Sequence, residues 1–273
     1  MRHALIPLLL LTLAACATPT TRPPGFADAE WKAEQAAQAA AASKAPIAFN
    51  AKKNYGHKQV AALSGRLNPI ARRIEKASAS LCRDVTVAGT NCAFEVLLDP
   101  TKHDLNAHAD GQNVIIYPAM VDFVRNDSQL GFVIAHEFAH NMMEHIDAQK
   151  QNTTIGLLLG AVADVAAGAG GINTQGAFGE LGSSQGTLSY SSDFEAEADY
   201  VGLYILARAG FRIEEAPDLW RMMSQAEPDA IYIARSHPTN PARTLAMTKT
   251  VAEIRAKQRA RQPLIPNIRM PDA

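Results

Sequence analysis

The sequence predicts an α+β protein that is mainly α-helical and carries a small β-sheet. Three observations point there. Apolar residues recur at helical spacing over long stretches; Val60, Leu63, Leu67, Ile70 and Ile74 are one such row. Only two short runs, Phe94 to Leu98 and Val114 to Tyr117, have strand character. The 273 residues are 47% hydrophobic and 19% charged, which suits a globular core rather than a disordered chain and is enough for one large domain with appendages. The formal net charge of −1 offers nothing to a phosphate backbone, so no nucleic-acid partner is expected.

The chain divides into three parts: residues 1–15, residues 16–54 and a globular domain over 55–273. In the first, Arg2 and His3 give a positive start and Leu5 to Leu13 an apolar stretch, interrupted by Pro7, that is too short for a permanent span. The run Leu13-Ala14-Ala15-Cys16 resembles the lipobox of bacterial lipoproteins, in which the signal peptide is cut before the cysteine and the cysteine is lipidated. An ordinary secretory signal ending near a cysteine is the alternative. Small residues before Cys16 and the Thr/Pro stretch after it favour the lipoprotein. Ala17, rather than Asp, resembles the sorting pattern that sends such proteins to the outer membrane, facing the periplasm. With Cys16 lipidated, Cys82 and Cys92 remain as an even pair in an oxidising compartment, and a disulfide is expected; two buried free thiols are the other reading.

Residues 17–26 read as a tether, and 27–45 as a loosely held Ala-rich helix ending before Pro46. A core helix is expected from His57 to Leu81, with Pro69 able to kink it. The two strands follow, separated by a polar loop from Asp99 to Gln112. One helix should run from Ser128 to Lys150, with Asn126, Asp127 and Ser128 as candidate caps. The Gly-, Ala- and Leu-rich stretch Ile155 to Gly171 looks like a membrane span, but Asp164 and its shortness favour a buried or membrane-facing hairpin. Gly and Ser over 170–192 read as a mobile loop. Helices are expected at Asp193 to Ala209, at Ala216 to Gln225, and from Pro241, capped by Asn240, to Arg261. Arg255, Lys257, Arg259 and Arg261 read as a solvated helix end, with contact to anionic lipid as the weaker reading.

The chemistry is concentrated in two motifs. Residues 136–140 read His-Glu-Phe-Ala-His. Positions i and i+4 share a helix face, so His136 and His140 can reach one ion, and Glu137 beside them can take a proton from the attacking water. The flanking Leu130, Phe132, Val133, Ile134, Ala135, Phe138 and Ala139 make the helix apolar and therefore buried, where His and Glu need a partner. A catalytic zinc site needs a third protein ligand. Residues 195–199, Glu-Ala-Glu-Ala-Asp, supply it: Glu195 as the ligand, and Asp199, on the same face, to hold a ligand imidazole by its other N–H. Glu197 points elsewhere.

Together these motifs resemble the zinc metallopeptidase family of HtpX and the CAAX prenyl protease, over residues 55–250. The resemblance implies a zincin-type (gluzincin) domain over 55–273 that binds one zinc ion per chain and cleaves polypeptides. Asn106, Ala107, Gly111 and the strand Val114, Ile115 to Tyr117 resemble the family's edge strand, which pairs with the substrate backbone. His145 stands where the family often has a histidine. Ser236-His237-Pro238 followed by Arg243 resembles the family's late His-Pro element, which implies that His237 stabilises the oxyanion and Arg243 supports the site. Two departures stand out: Ser191 and Ser192 occupy the place of an arginine, and Gln129 that of a glutamate. The chain resembles the soluble lipoprotein branch, which implies proteolysis of misfolded or misassembled envelope proteins and a connection to the outer-membrane assembly machinery. A chaperone-like lipoprotein with a latent protease site is the alternative. For the protease itself, Gly168 to Ser192 read as a lid, and in a latent resting enzyme His237 would take the open metal position; simple oxyanion assistance by His237 is the expectation.

Overall fold

The computed structural model describes residues 19–42, 53–178, 180, 192–225, 237 and 241–268. Cys16, the cap Asn240 and most of the 170–192 stretch lie outside the described residues. What is described is mainly helical with a mixed three-stranded sheet, the fold class the sequence predicts.

Helix α1 (Asp28–Ala42) leads to α2 (His57–Val85), whose Leu67, Ile70, Ala71, Ile74, Ala77 and Leu81 form the buried stripe anticipated from their spacing. Each fully buried aliphatic side chain of this kind contributes about 1.5–3 kcal/mol. Pro69 is accommodated inside the helix. At its end, the Thr86 amide and hydroxyl both donate to the Cys82 carbonyl, at 2.9 and 2.8 Å. A Cys82–Cys92 disulfide, Cα–Cα 5.7 Å, then closes the loop into the sheet.

The sheet has the order β1-β3-β2, from β1 (Glu95–Leu98), β2 (Ala107–Ala109) and β3 (Asn113–Ile116). β1 runs parallel to β3 and β2 antiparallel to it. Two expectations are corrected here. The polar loop Asp99 to Gln112 contains a strand, β2, too short and too poor in β-branched residues to announce itself. Val114 and Ile115 do not lie on an edge: they sit in the central strand, bonded on both sides, and the outer strand on that side is β2, which begins at Ala107.

Helix α3 (Pro118–Phe123) precedes α4 (Asp127–Met142). Asn126 caps α4, its side chain accepting the Gln129 amide at 3.0 Å. Gln129, in the place of the family's glutamate, accepts the Arg125 amide at 2.9 Å, a bond either side chain could make. The single helix expected through Lys150 is instead two. Glu144 adopts a left-handed φ of 57° and α5 (His145–Ala169) starts anew beyond it. α5 also replaces the hairpin expected at Ile155 to Gly171. Its Ala/Leu sequence keeps helical geometry through its two central glycines, and the first positive φ comes at Gly171. Leu158, Val162 and Val165 are exposed on it, and by length and composition α5 could cross a membrane.

Helices α6 (Ser192–Arg208), α7 (Ala216–Gln225) and α8 (Pro241–Arg259) complete the domain. α4 and α6 pack against each other through two glycines. A Cβ on Gly202 would stand 3.1 Å from the His136 nitrogen, and one on Gly131 3.1 Å from a Leu206 methyl. This approach sets the two motif-bearing helices face to face. The stretch read as a tether is partly docked: Thr21 is buried and bridges Ile268, and the Arg22 amide donates to Asn267 at 2.9 Å.

Candidate active site

His136 and His140 lie one turn apart on the buried α4, and Glu195 faces them from α6. The two Nε2 atoms are 3.1 Å apart. Glu195 Oε1 lies 3.4 Å from His140 Nε2, and Glu195 Oε2 3.5 Å from His136 Nε2. His237 adds Nδ1 at 3.3 Å from His136 Nε2 and 2.9 Å from Glu195 Oε1. One donor atom from each of these four buried residues lies within 4.8 Å of the other three. Three imidazole nitrogens and a carboxylate oxygen aimed at one point repel one another unless protons or a cation lie between them. An ion with nitrogen ligands at 2.0–2.1 Å in tetrahedral array has ligand–ligand edges of about 3.4 Å. The donor set therefore fits a zinc-type ion, with His237 at the fourth vertex.

Glu137 points into the same space and is 2% exposed. Its Oε1 lies 3.6 Å from His237 Nε2, and its buried Oε2 has no hydrogen-bond partner among the described residues. An orphaned carboxylate oxygen beside a metal-type donor set is suited to accept a bond from water.

Asp199 orients the cluster from behind. Its Oδ1 lies 3.1 Å from His136 Nδ1 and accepts the Trp220 indole N–H at 3.0 Å. Arg243 grips it through Nε and Nη2 at 2.7 and 2.8 Å, while Nη1 reaches Glu195 Oε2 at 2.8 Å. The Arg243 guanidinium also lies over the Trp220 ring. Burial alone would raise the Asp199 carboxyl, but Arg243 and His136 hold it below its ordinary range. Burial would likewise raise Glu195; His237, Arg243 and His140 keep it well below. Burial disfavours a charged His136, yet Asp199 and Glu195 lift its pKa to about 9, while burial drives His140 well down.

The anticipated His136, Glu137, His140, Glu195, Asp199, His237 and Arg243 are thus in one place. Asn106 and Ala107 lie beside the site rather than in it, Ala107 opening β2, which packs against α4, and Asn106 just before it. Sequence reasoning passed over Asn141. It accepts the Gly111 amide at 2.8 Å and donates to the Asn113 carbonyl at 2.9 Å, pinning the β2–β3 turn to the helix that bears His136 and His140. It also set Glu197 aside, whereas Glu197 is buried and bonded to His145 at 3.0 Å. A third carboxylate on an apolar helix was the available signal, since burying one demands a partner.

A helical domain with a small mixed sheet, an HExxH helix and a glutamate-bearing helix opposite it has the architecture of zincin-type metallopeptidases. The chain belongs to peptidase family M48, whose model matches residues 69–251, more than half its length. Among similar proteins is the mitochondrial metalloendopeptidase OMA1 of Saccharomyces cerevisiae, 30% identical over 168 residues, covering 59% of this chain and 47% of the yeast protein. The beta-barrel assembly-enhancing protease of Escherichia coli (strain K12) is 32% identical over 136 residues, covering 45% and 27%. This chain spans about half or less of the length of these relatives.

Proposed function

We propose that this protein is a zinc-dependent endopeptidase of the bacterial cell envelope. It would bind one zinc ion per chain through His136, His140 and Glu195. The observation that carries this reading is the convergence of those three donors on one point, with the orphaned Glu137 oxygen beside it. Zinc held there supplies a Lewis acid that polarises the scissile carbonyl. Glu137 takes the proton of the attacking water and returns it to the leaving amine. Asp199 and Arg243 fix the two facing helices so that His136 and Glu195 need no rearrangement when substrate arrives. An extended substrate adds to the outer flank of β2 beside Asn106 and Ala107, and Asn141 ties the turn that follows, at Gly111 and Asn113, to α4.

The resting form is latent in this reading. His237 Nδ1 stands among the ligand atoms, where it competes with water for the fourth position, and a polypeptide client displaces it. This favours latency over simple oxyanion assistance. Lipid on Cys16 anchors the chain at the periplasmic face of the outer membrane, and its clients are misfolded or misassembled envelope polypeptides. Support for such clients comes from the E. coli relative, a protease named for beta-barrel assembly.

The deciding experiment is zinc analysis together with cleavage of unfolded casein. Wild type should bind one zinc and cleave. Glu137→Gln should keep the zinc and lose activity by about 10²–10⁴-fold, because the base is not a ligand. Glu137→Gln protein with wild-type turnover would rule out the mechanism. For the anchor, Cys16→Ala should release the protein from membranes or block its processing; an unprocessed wild-type chain in cells would count against the lipoprotein.

A further inference from the structure

Glu197 and His145 lie outside the ligand set and outside the Asp199–Arg243 brace, yet both are buried. They form a chain that leads away from the metal site. His140 Nδ1 and His145 Nδ1 are 3.0 Å apart. His145 Nε2 lies 3.0 Å from Glu197 Oε2. Phe194 stacks on the His145 ring, centroids 4.6 Å apart, and holds its plane. Proton placement along this chain is set from the inner end. His140 presents Nε2 to the donor cluster, so its proton sits on Nδ1 and is donated to His145 Nδ1. The His145 proton is then on Nε2 and is donated to Glu197. A carboxylate is the only ordinary side chain whose two oxygens can both act solely as acceptors, and it closes the chain.

The other Glu197 oxygen is also committed. Oε1 accepts the backbone amides of Thr21 at 2.5 Å and Thr20 at 2.8 Å, with the Thr20 hydroxyl at 3.2 Å. This segment is fixed from its far side by the Thr21–Ile268 bridge and the bond from Arg22 to Asn267. Asn267 in turn donates its amide to the Tyr200 hydroxyl on α6 at 2.9 Å. The Thr21 hydroxyl is buried and makes no hydrogen bond of good geometry among the described residues.

We propose that the N-terminal segment at Thr20 and Thr21 is a positioning element of the metal site, acting through Glu197 and His145 to fix the ring and tautomer of His140. Metal affinity depends on this segment being docked. The inference rests on the zinc reading of the site. It extends that site across the chain from residue 20 to residue 268, outside the part that matches the family model.

The test uses the full chain and reads zinc affinity by competition with a chromophoric chelator, and the visible spectrum of the cobalt-loaded protein. Thr21→Pro deletes the amide donor but leaves the Arg22 amide and an extended backbone. Thr21→Val deletes only the hydroxyl and keeps the amide donor. Expected are losses of about 10–100-fold in zinc affinity for Thr21→Pro and for Glu197→Gln, each with a shifted cobalt spectrum. Thr21→Val should bind within about 2-fold of wild type. The double variant Thr21→Pro/Glu197→Gln should be no worse than Glu197→Gln alone, because both remove one linkage. Thermal melts of the metal-free proteins identify any variant that does not fold, and the remaining single variant then decides. Wild-type affinity and spectrum in a folded Thr21→Pro or Glu197→Gln protein, or additive losses, would overturn the coupling while leaving the proposed function standing. A wild-type chain that binds no zinc overturns both.

Discussion

Replacing Gly202 by alanine probes the packing that creates the site. The added Cβ would meet the His136 nitrogen at 3.1 Å, its Cα at 3.2 Å and the Ala135 carbonyl carbon at 3.3 Å. These are backbone atoms of α4, so no rotamer change relieves the contact. Comfortable separations begin near 3.5 Å, and the two helices must part by a few tenths of an ångström. Overpacking of this kind costs about 1–3 kcal/mol, and alanine in place of glycine in a helix returns about 1 kcal/mol. The net loss of about 0–2 kcal/mol lowers the melting temperature by no more than about 8 °C for a domain of this size. Metal binding is the more sensitive readout. His136 rides on α4 and Glu195 on α6, and ligand distances tolerate only about 0.2 Å. Gly202→Ala should therefore weaken zinc binding by at least about 10-fold. Gly131→Ala is the internal control: it lies on the same helix pair, but its Cβ meets the movable side chains of Leu206 and Phe211. Its affinity should stay within about 3-fold of wild type. The assays are chelator competition for affinity and scanning calorimetry of metal-free protein for stability. A Gly202→Ala protein with wild-type affinity would refute the claim that this crossing sets the ligand geometry.

Two further outcomes are expected. His237→Ala should raise basal casein cleavage, measured as initial rates at saturating zinc; lower turnover with unchanged coordination would end the latency reading and restore the simple oxyanion role. Asp199→Asn leaves Arg243 facing an amide on one side while Glu195 still pairs it on the other, so the loss stays below the roughly 3–5 kcal/mol of a fully broken buried pair. Denaturant melts should show that loss and chelator competition a drop of about 10–100-fold in zinc affinity; a change in neither would refute the bracing role given to Asp199.

The helices were legible because burial imposes a 3.6-residue rhythm on residues such as Leu67, Ile70 and Ile74. The donors were legible for the same reason: i and i+4 share a face whatever the rest of the chain does. What depends on distant partners was not. Nothing local marks β3 as the middle strand, because strand order is decided by which neighbours arrive on each side. Glu144 carries no sign that it will turn left-handed, and without that turn His145 reads as one more residue on a long helix. Glu197 finds its partners 52 and 176 positions away. The docking of Thr20 and Thr21 runs against their composition, since a Pro/Thr stretch suggests a solvated leash. Most of the hydrogen bonds that hold it come from the backbone, which side-chain reading does not see.

That docking has a spatial consequence. Thr20 stands four positions after Cys16, and a fully extended chain spans at most about 3.3–3.6 Å per residue. A lipid on Cys16 would therefore moor the domain within about 14 Å of the bilayer surface, with little slack to swing. An enzyme on so short a line would slide along the bilayer but work only in the thin layer beside it. It would reach only what comes to that layer, so abundance in the surrounding compartment would matter less to its choice of substrate than nearness to the membrane.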